Sequence, residues 1–92
     1  MNINIFGSTG TIGLKTLEII SESFPTLSVN LLCAKSNIFL LKKQIYKYKP
    51  KYAFIYDEKK ASIQNKKIGN TKILNFKELI IYLSSSKSNL SV

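Results

Sequence analysis

Three glycines at three-residue spacing, Gly7, Gly10 and Gly13, follow a short apolar run in NINIFGSTGTIG, residues 2–13. This stretch restricts the fold more than any other. Residues 2–6, with Ile3, Ile5 and Phe6, read as a short buried strand, and Gly7 ends it. From Thr11 to about Glu22 the pattern becomes helical. Ile12, Leu17 and Ile20 are expected on the buried face, with Lys15, Glu18 and Glu22 outside. The glycines therefore occupy a strand-to-helix turn.

The same alternation continues. Pro25 blocks the first helix. SVNLLCA, residues 28–34, reads as a second strand. Ser36 or Asn37 is placed to cap a second helix, in which Leu41, Ile45 and Tyr48 recur at i, i+4 and i+7 before Pro50. YAFIY, residues 52–56, is a third strand. Asp57 can cap a short helix over about 58–66, and TKIL, residues 71–74, is a brief fourth strand. Asn75 and Glu78 have the spacing of a capping box and open a last helix reaching about Leu83. The expected fold class is α/β, a partial Rossmann-like parallel sheet of about four strands alternating with helices. Residues 1–86 form one nucleotide-binding unit, truncated relative to a complete fold, and 87–92 form a polar tail or cut end. Ninety-two residues, 45% of them apolar, suffice for one small core.

The chemistry concentrates at the glycine turn. Gly7 lets the chain leave the strand sharply. Gly10, without a Cβ, lets a pyrophosphate approach the backbone. Gly13 allows close helix packing. Amide N–H groups and the positive dipole end of the helix then face the phosphates, with Ser8, Thr9 and Thr11 adding hydroxyl donors. No Gly-Lys-Ser/Thr closes the stretch, so it is not a P-loop. The alternative is a glycine turn without a ligand.

The end of the second strand bears on which dinucleotide binds. A carboxylate there would hold an unmodified ribose and repel a 2′-phosphate. This chain has CAKSN, residues 33–37, and no acid between Glu22 and Asp57. Lys35 and Ser36 can meet a 2′-phosphate by charge and hydrogen bond, which favours NADPH over NADH. Plain solvent exposure for Lys35 and helix capping for Ser36 and Asn37 are the competing readings.

Composition excludes other classes. The net charge is +9, with fourteen lysines and no arginine. The lysines are scattered, so no nucleic-acid partner is expected. No apolar run is long enough to span a bilayer and no signal peptide is evident, so no membrane partner is expected. There is no histidine, and the single Cys33 reads as a buried apolar residue. Tyr46, Tyr48, Tyr52 and Tyr56 read as core and rim. A reducing cytoplasm is the expected setting.

NIFGSTGTIGLKTLEII resembles the opening of the 1-deoxy-D-xylulose 5-phosphate reductoisomerase family, where a strand precedes G-S-T-G-S-I-G and a helix with T-L near its middle. LLCAKSNIFLLKKQ and YKPKYAFIYDE extend the resemblance, so that it covers at least residues 2–58. Thr11 replaces the usual serine, and Lys35 stands where the family usually has glycine. The resemblance implies NADPH bound by Thr9, Gly10, Thr11 and Ile12 in the turn and by Lys35, Ser36 and Asn37 after the second strand. It implies rearrangement of the substrate followed by NADPH-dependent reduction to 2-C-methyl-D-erythritol 4-phosphate, in the non-mevalonate isoprenoid pathway. The complete enzyme is expected to be a homodimer using Mg²⁺ or Mn²⁺. The family's N-K-E element and acidic metal ligands have no counterpart in these 92 residues. No catalytic or metal residue is thus expected here, and the remaining partner is the missing C-terminal catalytic part. A stand-alone, non-catalytic dinucleotide-binding or regulatory module is the alternative.

Overall fold

In the computed structural model, residues 2–62, 65–85 and 90–92 are described. Strand β1 (Asn2–Phe6) leads through helix α1 (Thr11–Ser23) to β2 (Ser28–Ala34), and α2 (Ile38–Tyr48) leads on to β3 (Tyr52–Ile55). After α3 (Glu58–Ser62) come β4 (Lys67–Ile68), β5 (Thr71–Leu74), α4 (Phe76–Ser85) and β6 (Leu90–Ser91). The strands form one sheet in the order β4-β5-β3-β2-β1-β6. Every pairing is parallel except β4 with β5. The α/β fold of the Rossmann-like type is therefore present, with six strands among the described residues where about four were expected.

Both extra strands are two residues long, too short for a hydrophobic period to announce them. The β4–β5 hairpin turns through Gly69 and Asn70, with Ile68 opposite Thr71. Gly69 has φ +59°, the left-handed backbone that such a two-residue turn requires at its first position. The Gly-Asn pair was its sequence signal. Within 87–92, read as a polar tail or cut end, Leu90 pairs with Ile3 and Ser91 with Asn4 as strand β6, while 87–89 lie outside the described residues. Val92 adds two backbone bonds, donating to Asn4 O at 2.9 Å and accepting from Phe6 N–H at 2.8 Å. Backbone pairing with β1 fixes residues 90–92 without an apolar pattern. The short helix after Asp57 ends at Ser62; residues 63 and 64 lie outside the described residues, and 65–66 are not helical.

Two clusters cover the faces of the sheet. On one, Leu17 and Ile20 of α1 and Leu41 and Ile45 of α2 pack over Ile3, Ile5, Leu32 and Ile55. On the other, Leu79 of α4 packs with Leu31, Cys33, Phe54 and Leu74, flanked by Tyr82 and Leu83. Burial of each such aliphatic side chain stabilises the fold by about 1.5–3 kcal/mol. The buried face of α1 is Gly13, Leu17 and Ile20, at i, i+4 and i+7. Ile12, expected on it, is 78% exposed. Its neighbour Gly13 takes the buried row because the helix start presses against the turn itself.

A pairing shift lies between Ile3 and Asn4: Ile3 faces Val29, and Asn4 faces Leu31. The extra residue is Asn30. Leu31 joins the α4 cluster, and Asn30 donates through Nδ2 to the Tyr82 hydroxyl on α4. Tyr82 in turn donates to Asn4 Oδ1 at 2.8 Å, and Asn4 Nδ2 donates to Ser91 Oγ at 3.3 Å. This chain of polar contacts ties α4, β1, β2 and β6 together beneath the sheet, satisfying an Asn4 side chain that is almost fully buried.

The chain advances from β1 to β2, β3 and β5 in one direction. It then returns through α4, on the opposite face, to β6 on the far side of β1. This reversal falls at β1, whose carboxyl end carries the glycine turn. In open α/β sheets, ligands bind outside the carboxyl ends of strands at such a reversal.

Candidate functional site

Gly7 leaves β1 at φ +69°, a backbone that L side chains rarely adopt. The turn closes with Gly10 N–H donating to Gly7 O at 3.0 Å, and α1 begins with Leu14 N–H donating to Gly10 O at 2.9 Å. Gly10 is the N-cap residue, and no side chain among the described residues caps this helix end. The first-turn amides of a 13-residue helix are thus left for another acceptor, with the positive end of the dipole behind them. A Cβ on Gly10 would make ordinary contact with Gly7 O at 3.4 Å and meet nothing else nearby. The space before Gly10 is open. A Cβ on Gly13 would lie 2.1 Å from Gly7 O and 2.8 Å from Ser8 Cα, so only glycine permits this packing.

The turn is anchored to two further elements. Ser8 N–H donates to Cys33 O at the end of β2, at 2.9 Å. Gln44 Nε2, from α2, donates to Ser8 O at 2.7 Å in a buried contact. The sequence reading missed Gln44. Its signal was a polar residue at i+3 from Leu41, within the apolar row of α2.

The predicted residues divide into three groups. Thr9, Gly10, Thr11 and Ile12 surround the accessible helix start, half-buried to exposed. Ser8 lies apart from them: it is fully buried, and its Oγ has no hydrogen-bond partner among the described residues. The left-handed bend at Gly7 draws Ser8 inward, beneath the start of α1. Lys35, Ser36 and Asn37 form the next turn. Lys35 is exposed, and Ser36 is half-buried. Asn37 Oδ1 accepts the Leu40 N–H at 3.1 Å and so serves as the N-cap of α2.

The two turns share a border. A cleft of about 450 Å³ runs along the carboxyl ends of β1–β3, with Gly7 at one side and Lys35 at another. Phe6, Phe54, Phe76 and Leu79 give it apolar walls suited to a flat heterocycle. Cys33 also borders it, but burial pushes its thiol up to about 12, so it acts as an apolar wall atom. Tyr46 and Tyr56 are exposed at the rim, while Tyr48 and Tyr52 are half-buried and pack against the core clusters. Among the described residues, no group of three His, Cys, Asp or Glu side chains could hold a metal ion. Nor is any helix among them long and apolar enough to cross a membrane.

A mostly parallel sheet, helices on both faces and a glycine turn where the chain direction reverses define a Rossmann-like α/β protein. The chain belongs to the 1-deoxy-D-xylulose 5-phosphate reductoisomerase family, whose family model matches residues 3–90. It is 39% identical to the 1-deoxy-D-xylulose 5-phosphate reductoisomerase of Lachnoclostridium phytofermentans, over 77% of this chain and 18% of that protein. It is 37% identical to that of Thermodesulfovibrio yellowstonii, over 90% of this chain and 22% of the relative. With that of Wigglesworthia glossinidia brevipalpis the identity is 41%, over 92% of this chain and 23% of the relative. The chain spans about a fifth of the length of the relatives it matches.

Proposed function

We propose that this chain is the NADPH-binding opening of a 1-deoxy-D-xylulose 5-phosphate reductoisomerase, whose catalytic and metal-binding residues lie outside these 92 residues. The observation that carries the reading is the glycine turn: open space before Gly10, an uncapped 13-residue helix behind it, and a position at the reversal of the sheet. The amides of the α1 start would hold the pyrophosphate, and the apolar cleft the adenine ring. Lys35 and Ser36 would face the 2′-phosphate. NADPH, when bound, supplies the hydride that reduces the rearranged substrate. This chain's residues bind and orient the cofactor and move no proton. The described residues do not fit a divalent metal, so no metal-dependent step is assigned to them. In the complete, cytoplasmic, homodimeric enzyme, further chain would cover the exposed Phe6, Leu90 and Val92 beside β6. That apolar edge supports an incomplete fold over a stand-alone module.

The test is a fluorescence titration with NADPH and NADH. NADPH is expected to bind about ten- to a hundredfold more tightly, the worth of one well-made charge-assisted hydrogen bond. Lys35→Asp should weaken NADPH and spare NADH. Gly10→Val should weaken both by filling the approach to the backbone. Equal affinities for the two cofactors would refute the reading of Lys35 and Ser36, and an unaffected Gly10→Val would refute the reading of the turn. Turnover of 1-deoxy-D-xylulose 5-phosphate by this chain alone with Mn²⁺ would refute the placement of the catalytic residues elsewhere.

A further inference from the structure

The bond from Gln44 to the glycine turn has a directional consequence. Gln44 lies on α2 between Leu41 and Ile45, only 4% exposed, and donates to the Ser8 carbonyl. A trans peptide is planar, so its C=O and N–H point in opposite directions, and no peptide bond among the described residues is cis. Holding the Ser8 carbonyl toward α2 therefore turns the Thr9 amide N–H away from α2. The Thr9 N–H has no acceptor among the described residues, whereas the Ser8 and Gly10 amides on either side of it are both bonded within the fold.

We infer that Gln44 is a positioning residue: by fixing the Ser8–Thr9 peptide plane, it aims the Thr9 amide at a phosphate bound on the turn. The inference rests on the reading of the turn as a dinucleotide site. Rotating that peptide would strand a buried carbonyl and a buried side-chain amide together, so the plane is held firmly. Exchanging the two ends of the Gln44 amide would set Oε1 against Ser8 O, oxygen against oxygen. The donor orientation is kept even though Gln44 Oε1 is left buried without a partner among the described residues. The position is thus specified by what Nε2 does for the turn.

The test is Gln44→Met, which keeps the length and packing of the side chain and removes the donor. NADPH, inorganic pyrophosphate and 2′-AMP are titrated against the unsubstituted chain and the variant, with amide NMR recorded on both before any ligand is added. Expected are about five- to tenfold weaker NADPH and pyrophosphate, the worth of about one hydrogen bond, with 2′-AMP unchanged and the Thr9 amide resonance displaced. Equal weakening of all three ligands would reduce Gln44 to a general structural role and overturn the inference. So would unchanged NADPH and pyrophosphate affinity. An unsubstituted chain that binds none of the probes overturns the cofactor reading; the Thr9 resonance then decides, and an undisplaced Thr9 overturns the role of Gln44. If Gln44→Met does not fold, the unsubstituted chain serves. A slowly exchanging Gln44 side-chain proton, coupled through the hydrogen bond to the Ser8 carbonyl, is expected there, and its absence overturns the inference.

Discussion

Replacing Gly13 with alanine sets two effects of known sign against each other. Alanine is the better helix former by about 1 kcal/mol, and residue 13 lies inside α1, so propensity alone predicts stabilisation. The new Cβ would stand 2.1 Å from Gly7 O, 2.8 Å from Gly7 C and 2.8 Å from Ser8 Cα. All three are backbone atoms of a turn held to Cys33 O and Gln44, so none can swing aside. The start of α1 must retreat by roughly an ångström to restore ordinary contact. Overpacking of this kind costs about 1–3 kcal/mol when neighbours can adjust, and more when they cannot. With backbone neighbours that cannot adjust, the cost is taken at about 3 kcal/mol or more, and subtracting about 1 kcal/mol of propensity leaves a net loss of at least about 2 kcal/mol, or at least about 8–16 °C in Tm for a domain of this size. Gly10→Ala is the control: at φ −82° and ψ 172° alanine is unstrained, and its Cβ meets only Gly7 O at 3.4 Å. Loss of a glycine N-cap there should cost about 1 kcal/mol or less. Circular dichroism with thermal and urea unfolding of both variants decides the matter. A Gly13→Ala chain as stable as the unsubstituted one would refute the packing argument.

Lys49 closes α2 in the left-handed conformation at φ 50°, so Lys49→Gly should raise stability by about 0.5–1 kcal/mol in urea titrations. Asn75 and Glu78 cap each other reciprocally, Asn75 Oδ1 accepting Glu78 N–H at 2.8 Å and Glu78 Oε1 accepting Asn75 N–H at 3.0 Å. Asn75→Ala should cost about 0.5–2 kcal/mol, read from the urea midpoint. The Asn75 N–H, then Lys72, hold the Glu78 carboxyl below its ordinary 4.5, so its contribution is present above that pH and lost as pH falls through the lowered value. Glu78→Gln should flatten that part of an acid titration followed by circular dichroism. The Cys33 thiol, raised from 9.0 to about 12 by burial, should resist alkylation at pH 8 until the chain unfolds. The neutral buried thiol favours the fold fully below pH 9, and this contribution is lost as pH rises toward 12; Cys33→Ser should be compared by urea unfolding across that range.

Local rules in the sequence determined most elements. The glycine turn, Pro25 and Pro50, the Asn37 and Asp57 caps and the Asn75–Glu78 box act over three or four residues, and each places an element boundary by local chemistry. The i, i+4, i+7 row placed Leu41 and Ile45 in the core for the same reason. Contacts between distant segments were decided only in three dimensions. Ile12 has the side chain of a core residue, yet backbone-to-backbone approach gives the buried place to Gly13. Ser8 has the hydroxyl of a phosphate ligand, yet the bend at Gly7 buries it. Leu90 and Ser91 lie in a polar stretch, yet the free edge of β1 supplies the hydrogen bonds that make them a strand. Gln44 reads as an error in an apolar row until the Ser8 carbonyl, 36 residues earlier, stands 2.7 Å from it. The physical division is one of range: caps and helical periods are set within a few bonds along the chain, while a peptide's orientation or a sheet edge's partner depends on which segments the core has already brought together.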